Sequence, residues 1–176
     1  MVMCSALWGV LNSIFSPLFF SITHLPLLCD LIGFAVLTVA GWWIRKLGAI
    51  ITIGLIATII SFTIHPQALT FLGFTGASIV FDFMAGVVGY NRIFAKPLRA
   101  YASAIGISAV SASVAGFIIG TFFMMAPQLS AWGGVIGWAG LHAIGGVIGG
   151  TIGAGLVIGL VTRRVTATDT QMQIRG

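Results

Sequence analysis

The chain has 176 residues, of which 59% are hydrophobic and 6% charged, with eight Lys/Arg against three Asp and a net charge of +5. Its mean hydropathy is +1.13. A soluble domain carries about 25% charged residues to solvate its surface, so this composition excludes a water-soluble globular protein and requires lipid as solvent.

Six continuously apolar blocks follow one another: 5–23, 26–44, 48–65, 69–90, 100–126 and 134–162, with 163–176 as a polar tail. Each approaches the roughly 20 residues needed to cross a hydrocarbon core of about 30 Å at 1.5 Å per residue. They predict one all-α membrane domain over 1–176, a bundle of six transmembrane helices in the cell membrane. A β-barrel would show alternating rather than continuous apolar residues. The N-terminal block lacks the basic leader of a signal peptide and reads as the first span.

The charges fix an orientation. Arg45 and Lys46 follow block two, Arg92, Lys96 and Arg99 follow block four, and Arg163, Arg164 and Arg175 follow block six. The connections after blocks one, three and five hold no Lys or Arg. All eight basic residues thus fall on one side, which the positive-inside rule makes cytoplasmic, with both termini inside. Retention of Lys and Arg at the inner membrane face also accounts for the basic net charge, and no nucleic-acid partner is expected. Trp42 and Trp43, beside Arg45, read as an inner aromatic belt, while Trp132 and Trp138, near the outer end of block six, read as an outer belt or as rings on which a ligand could stack.

Small residues recur at every fourth position of block five, at Ala100, Ala104, Ser108, Ala112, Gly116 and Gly120. Block six carries Gly145-xxx-Gly149-xxx-Gly153 beside Gly146-xxx-Gly150, and block one a single Gly9-xxx-Ser13. Such stripes let helix backbones approach closely in lipid, either within the bundle or against a partner. The glycines of block six are not a phosphate loop, since no preceding strand and no Lys-Ser/Thr accompany them.

Polar residues within the apolar blocks mark candidate sites, because burying them in lipid is costly. Asp82 lies about nine residues, or roughly 14 Å, from the cytoplasmic end of block four and is expected near the midplane, either as a site residue or as a protonated or hydrogen-bonded structural Asp that clips two helices. Asn12, Asp30, His65, Gln128 and His142 fall mostly toward the outer ends of their blocks. That distribution suits a pocket loaded from outside, built from Asn12, Asp30, His65, Asp82, Gln128, Trp132, Trp138 and His142. No HExxH, GxSxG or Walker motif is present, and three Asp without Glu leave little for acid–base chemistry, so the chain reads as a non-enzyme without cofactor. His24, His65 and His142 match no local metal motif, and no metal is expected. The competing reading is a homo-oligomeric channel or small secondary transporter with Asp82 as its ion or proton site.

The stretch WWIRKLGAIITIGLIATIISF, then FTGASIVFDFMAGVVGYNR, within six spans and ahead of a Gly-rich last span, resembles the substrate-binding S components of energy-coupling factor (ECF) vitamin transporters. It is most similar to the thiamine or hydroxymethylpyrimidine branch. The resemblance implies capture of a vitamin-like compound near the outer surface, with a transmembrane coupling subunit and two cytoplasmic ATPases as partners. In place of the Ala-xxx-Ala frequent in that family's first span, this chain has Gly9-xxx-Ser13. The N-terminal His of the metal-specific relatives is absent.

Overall fold

A computed structural model describes residues 1–165; Arg175 and most of the polar tail lie outside the described residues. The described chain is all-helical, with six long helices: α1 (Val2–Thr23), α2 (Leu27–Ile44), α3 (Ala49–Ile64), α4 (Phe71–Val88), α6 (Pro97–Phe122) and α8 (Gly134–Thr162). Two short helices, α5 (Tyr90–Ile93) and α7 (Ala126–Ser130), lie in the connections before α6 and α8. All but α3 among the long helices are long and apolar enough to cross a membrane; α3, with 16 residues, is shorter. Large apolar side chains such as Leu18, Leu55, Phe83, Phe117 and Leu156 are exposed along the outside of the bundle. The chain is a multi-pass membrane protein, and helices are what an apolar run must form in lipid, where no water satisfies the backbone.

The helix ends depart from the apolar blocks for local reasons. The fourth block runs to Tyr90, but α4 stops at Val88 because Gly89 takes φ 88°, a left-handed conformation open to glycine, and turns the chain into α5. Block five is displaced at both ends. The rigid Pro97 opens α6 at its first turn, and the helix ends at Phe122, before Pro127 in α7. The turn 45–48 closes on Gly48, with φ 86°.

The six long helices close into a ring, in the order α1, α2, α8, α6, α4, α3 and back to α1. Helix α8 is the most tightly seated, and its glycines explain why. A Cβ on Gly146 would lie 2.5 Å from the Ser108 carbonyl oxygen and 2.6 Å from the Ala112 Cβ; one on Gly150 would lie 2.7 Å from the Ala104 carbonyl oxygen. On the adjacent face, a Cβ on Gly149 would meet the Asp30 carbonyl oxygen at 2.8 Å, and one on Gly153 the Thr38 Cβ at 2.6 Å. One face of α8 is thus cut for the small stripe of α6 and the other for α2. Gly9 and Ser13 face inward as well: a Cβ on Gly9 would sit 3.0 Å from the Ala57 carbonyl oxygen, and Ser13 Oγ donates to Ser61 Oγ at 3.1 Å. These residues therefore do not form an outward docking face; all are spent on closing the bundle.

The two ends of the ring differ. At one end gather the basic connections: Arg45 Nη1 donates to Asn91 Oδ1 at 3.2 Å, and Trp42 packs with Val157, Phe94 and Leu160. Trp42 is thereby buried in the bundle rather than placed in an exposed belt, while Trp43 is exposed. Above this end the core is solid, with Trp8 enclosed against Phe71 and Phe74 and Phe34 stacked on Phe81.

Asp82 belongs to the basic end, which corrects its expected place at the midplane. It lies six residues before the end of α4, about 9 Å along the axis. Its Oδ2 accepts from the backbone N–H of Gly48 at 2.8 Å and of Ile51 at 3.2 Å, and its Oδ1 from the Tyr90 hydroxyl at 2.6 Å. A carboxylate placed so caps the orphan donors and the positive dipole end of α3, which has no cap of its own. It joins α4 to the start of α3 and latches Tyr90 beneath, and it is no free ion site.

Two predictions follow from this packing. Gly146→Ala should destabilise the protein by about 1–3 kcal/mol, the usual range for overpacking, whereas Gly159→Ala, with open space around its Cβ, should cost nothing. Equilibrium unfolding in mixed micelles measures both. Asp82→Ala should cost about 1–3 kcal/mol, because it strands the buried Tyr90 hydroxyl and the half-buried N–H groups of Gly48 and Ile51; the same assay reads it.

Candidate ligand cavity

At the end away from the basic residues the ring opens into a cavity of about 350 Å³. Its position follows from local sequence. Pro17 interrupts the hydrogen-bond ladder of α1, since it has no N–H to give the Ser13 carbonyl, and it lines the cavity beside Ser13 and Ser16. Ser16 Oγ donates to Asn12 Oδ1, which turns the Asn12 amide toward its own helix. The connections 24–26, 65–70 and 123–128 form the mouth, contributing Leu25, Pro26, His65, Thr70, Phe123, Met124 and Gln128.

The walls are aromatic. Phe20, Phe71, Phe74, Phe123 and Trp138 all line the space. Trp138 stands edge-on to Phe20 at 6.3 Å and to His142 at 5.4 Å, and its far side is closed by Trp132 at 6.3 Å. Its indole N–H is buried without a partner. Rings so arranged give a flat ligand edge and face contacts without moving.

Below the mouth lies a buried pair. His142 Nδ1 is hydrogen-bonded to Asp30 Oδ1 at 3.0 Å and lies 2.9 Å from Oδ2. Asp30 is 0% and His142 1% exposed. One proton held between Nδ1 and Oδ1 satisfies both atoms, and it leaves Asp30 Oδ2 and His142 Nε2 without hydrogen-bond partners. Glycines make this meeting possible. A Cβ on Gly145 would collide with Asp30 Oδ2 at 2.6 Å, and one on Gly116 with His142 Cδ2 at 2.7 Å. The stripes that seat α8 therefore also create the room for its one ionisable residue.

The residues expected at a site are mostly brought together. Asn12, His65, Gln128, Trp138 and His142 line the cavity, although they come from three helices and a connection. Asp30 stands directly behind His142, and Trp132 backs Trp138 without lining the space. Asp82 is excluded from the group: its oxygens are spent at the basic end. Sequence reading missed Cys29, Ser61, Thr70 and the phenylalanines of the wall. Cys29 precedes Asp30 and so shares its depth, a signal available from spacing alone; a Phe in an apolar helix carries no mark that it faces a void rather than lipid.

Scans against family models, curated proteins and solved structures find no match to this chain.

Proposed function

We propose that this chain is the substrate-capture membrane subunit of an importer, taking a small heterocyclic, vitamin-like compound into the cavity from outside. The observation that carries the reading is the convergence of an aromatic box and a few polar groups at the end opposite to the basic connections. In the proposed topology all six long helices span the bilayer, α3 being accommodated by local thinning, and the basic end with both termini is cytoplasmic. The cavity then opens outward. Its mainly apolar walls with a few fixed polar groups are what small-molecule sites use, apolar area for affinity and polar atoms for orientation.

The partners proposed with it are a transmembrane coupling subunit and two cytoplasmic ATPases, on the resemblance to ECF S components. Thiamine and hydroxymethylpyrimidine are the first compounds to test. The rival reading, a channel or secondary transporter, relied on Asp82 as a free intramembrane carboxylate, and the cap geometry of Asp82 removes that support.

Purified protein should bind one such compound per chain without ATP. A nanomolar dissociation constant corresponds to about 12 kcal/mol, so Trp138→Ala and Phe74→Ala should each weaken binding at least tenfold. Titration calorimetry with a vitamin panel measures this, and ion conductance by reconstituted protein with no binder in the panel would establish the channel instead. Orientation is checked by single cysteines in a Cys4- and Cys29-free background. A cysteine at position 67 should react with an impermeant reagent in intact cells and one at position 96 should not; the reverse pattern overturns the topology and the outward cavity with it.

A further inference from the structure

Three metal-ligating side chains of different chemistry meet at the wall of the cavity. Cys29 and Asp30 are neighbours on α2, and His142 reaches them from α8; one ligand atom from each lies within 4.8 Å of the others. Cys29 is a free thiol that lines the cavity, as does His142. Two atoms of the cluster, Asp30 Oδ2 and His142 Nε2, are fully buried without a hydrogen-bond partner. Buried polar atoms without a hydrogen bond are costly; here His142 Nε2 has no hydrogen-bond partner, and Asp30 Oδ2 has only its ion-pair contact with Nδ1 at 2.9 Å, both beside a thiol.

We propose that Cys29, Asp30 and His142 form a binding site for a borderline-soft divalent ion of the zinc class, bridging α2 and α8 at the cavity wall. The donor set selects the ion. One sulfur, one nitrogen and one oxygen suit zinc or cobalt, whereas magnesium and calcium require mostly oxygen ligands. Bonds of about 2.0–2.3 Å place the ligand atoms of a tetrahedral ion roughly 3.3–3.8 Å apart, so the cluster closes on an ion by side-chain movements on the order of 1 Å. Charge balance favours it too: a thiolate and a carboxylate neutralise a divalent ion, and no net charge is left in the apolar interior. On binding at Nδ1, the Cys29 thiol gives its proton to solvent and loses its hydrogen bond to the Pro26 carbonyl, now 2.6 Å, and the proton held between Nδ1 and Asp30 Oδ1 passes to Nε2. Three protein ligands leave the fourth position open to the cavity, where a donor atom of a bound compound or water completes the shell. The site does not depend on which compound the cavity takes.

The test uses full-length protein in detergent, stripped with a chelator and titrated with Co²⁺. We expect one ion per chain, with the strong visible bands of a tetrahedral ion, a thiolate-to-cobalt charge-transfer band in the near ultraviolet, and bleaching by one equivalent of Zn²⁺. Cys29→Ser should abolish the charge-transfer band, and Asp30→Asn and His142→Gln should weaken binding at least tenfold. Cys4→Ser, remote from the cluster, should change nothing. A readout that needs no substitution in the cluster is thiol protection: in the Cys4→Ser protein, Zn²⁺ should slow alkylation of Cys29 at least tenfold. Absence of a cobalt complex, a charge-transfer band that survives Cys29→Ser, or alkylation indifferent to Zn²⁺ would each overturn the site. Running the vitamin panel on the stripped protein separates the two proposals, since compound binding without metal, or metal binding without compound, assigns the failure to one of them.

Discussion

The close seating of α8 between α2 and α6 is the constraint on which the rest of the bundle depends. In lipid there is no hydrophobic drive between helices, so association rests on dispersion contacts that fall away steeply with distance. Glycine at 145, 146, 149, 150 and 153 removes every side chain that would hold the backbones apart. The small residues of α6 do the same from the other side: Ala104 and Ser108 meet Gly150, and Ser108 and Ala112 meet Gly146. With α8 seated, the ring closes through α4 and α3 to α1 and back to α2.

The same approach brings together two groups that neither helix would tolerate alone. Asp30 and His142 are each expensive in an apolar interior, and each is affordable only because the other stands about 3 Å away. Gly145 and Gly116 supply that proximity by leaving room for the Asp30 carboxyl and the His142 ring. The packing motif and the polar site are therefore one feature, and substitutions in the stripe will disturb both. A loss of ligand or metal binding in a glycine variant would for that reason say nothing about direct contact.

The bundle is finished differently at its two ends. At the basic end, Asp82, Tyr90, Arg45 and Asn91 lock the turns 45–48 and 89–92 together, beneath a core filled by Trp8, Phe34 and Phe81. At the other end, Pro17 in α1 and the long connections before α4 and α8 prevent equally tight closure, and aromatic rings line a space instead of filling it. For the proposed capture of a ligand, a solid base beneath an open mouth offers preformed walls, and preorganised walls lower the ordering cost of binding.

Much of this was legible in one dimension. Six long apolar runs and their lack of charge determined an all-helical membrane protein, because lipid leaves the backbone no other way to satisfy its hydrogen bonds. Lys and Arg in alternate connections marked one end of the bundle, and polar residues at the opposite ends of the runs marked the other, since both kinds of group sit at a helical position that counting locates. Small-residue spacing named the faces of α6 and α8 that pack. What counting could not supply is the partner of each face, because a 3.6-residue period describes one helix and not its neighbour. Tertiary structure alone decided that the stripes close the ring inward, that Trp42 is core, and that Asp30 meets His142 across 112 positions of sequence. It also decided the fate of Asp82. Its depth along α4 left both a site residue and a structural clip open, but the break at Gly89 shortens the helix, and the start of α3 comes within hydrogen-bond reach, so its oxygens are taken by two backbone N–H groups and a tyrosine.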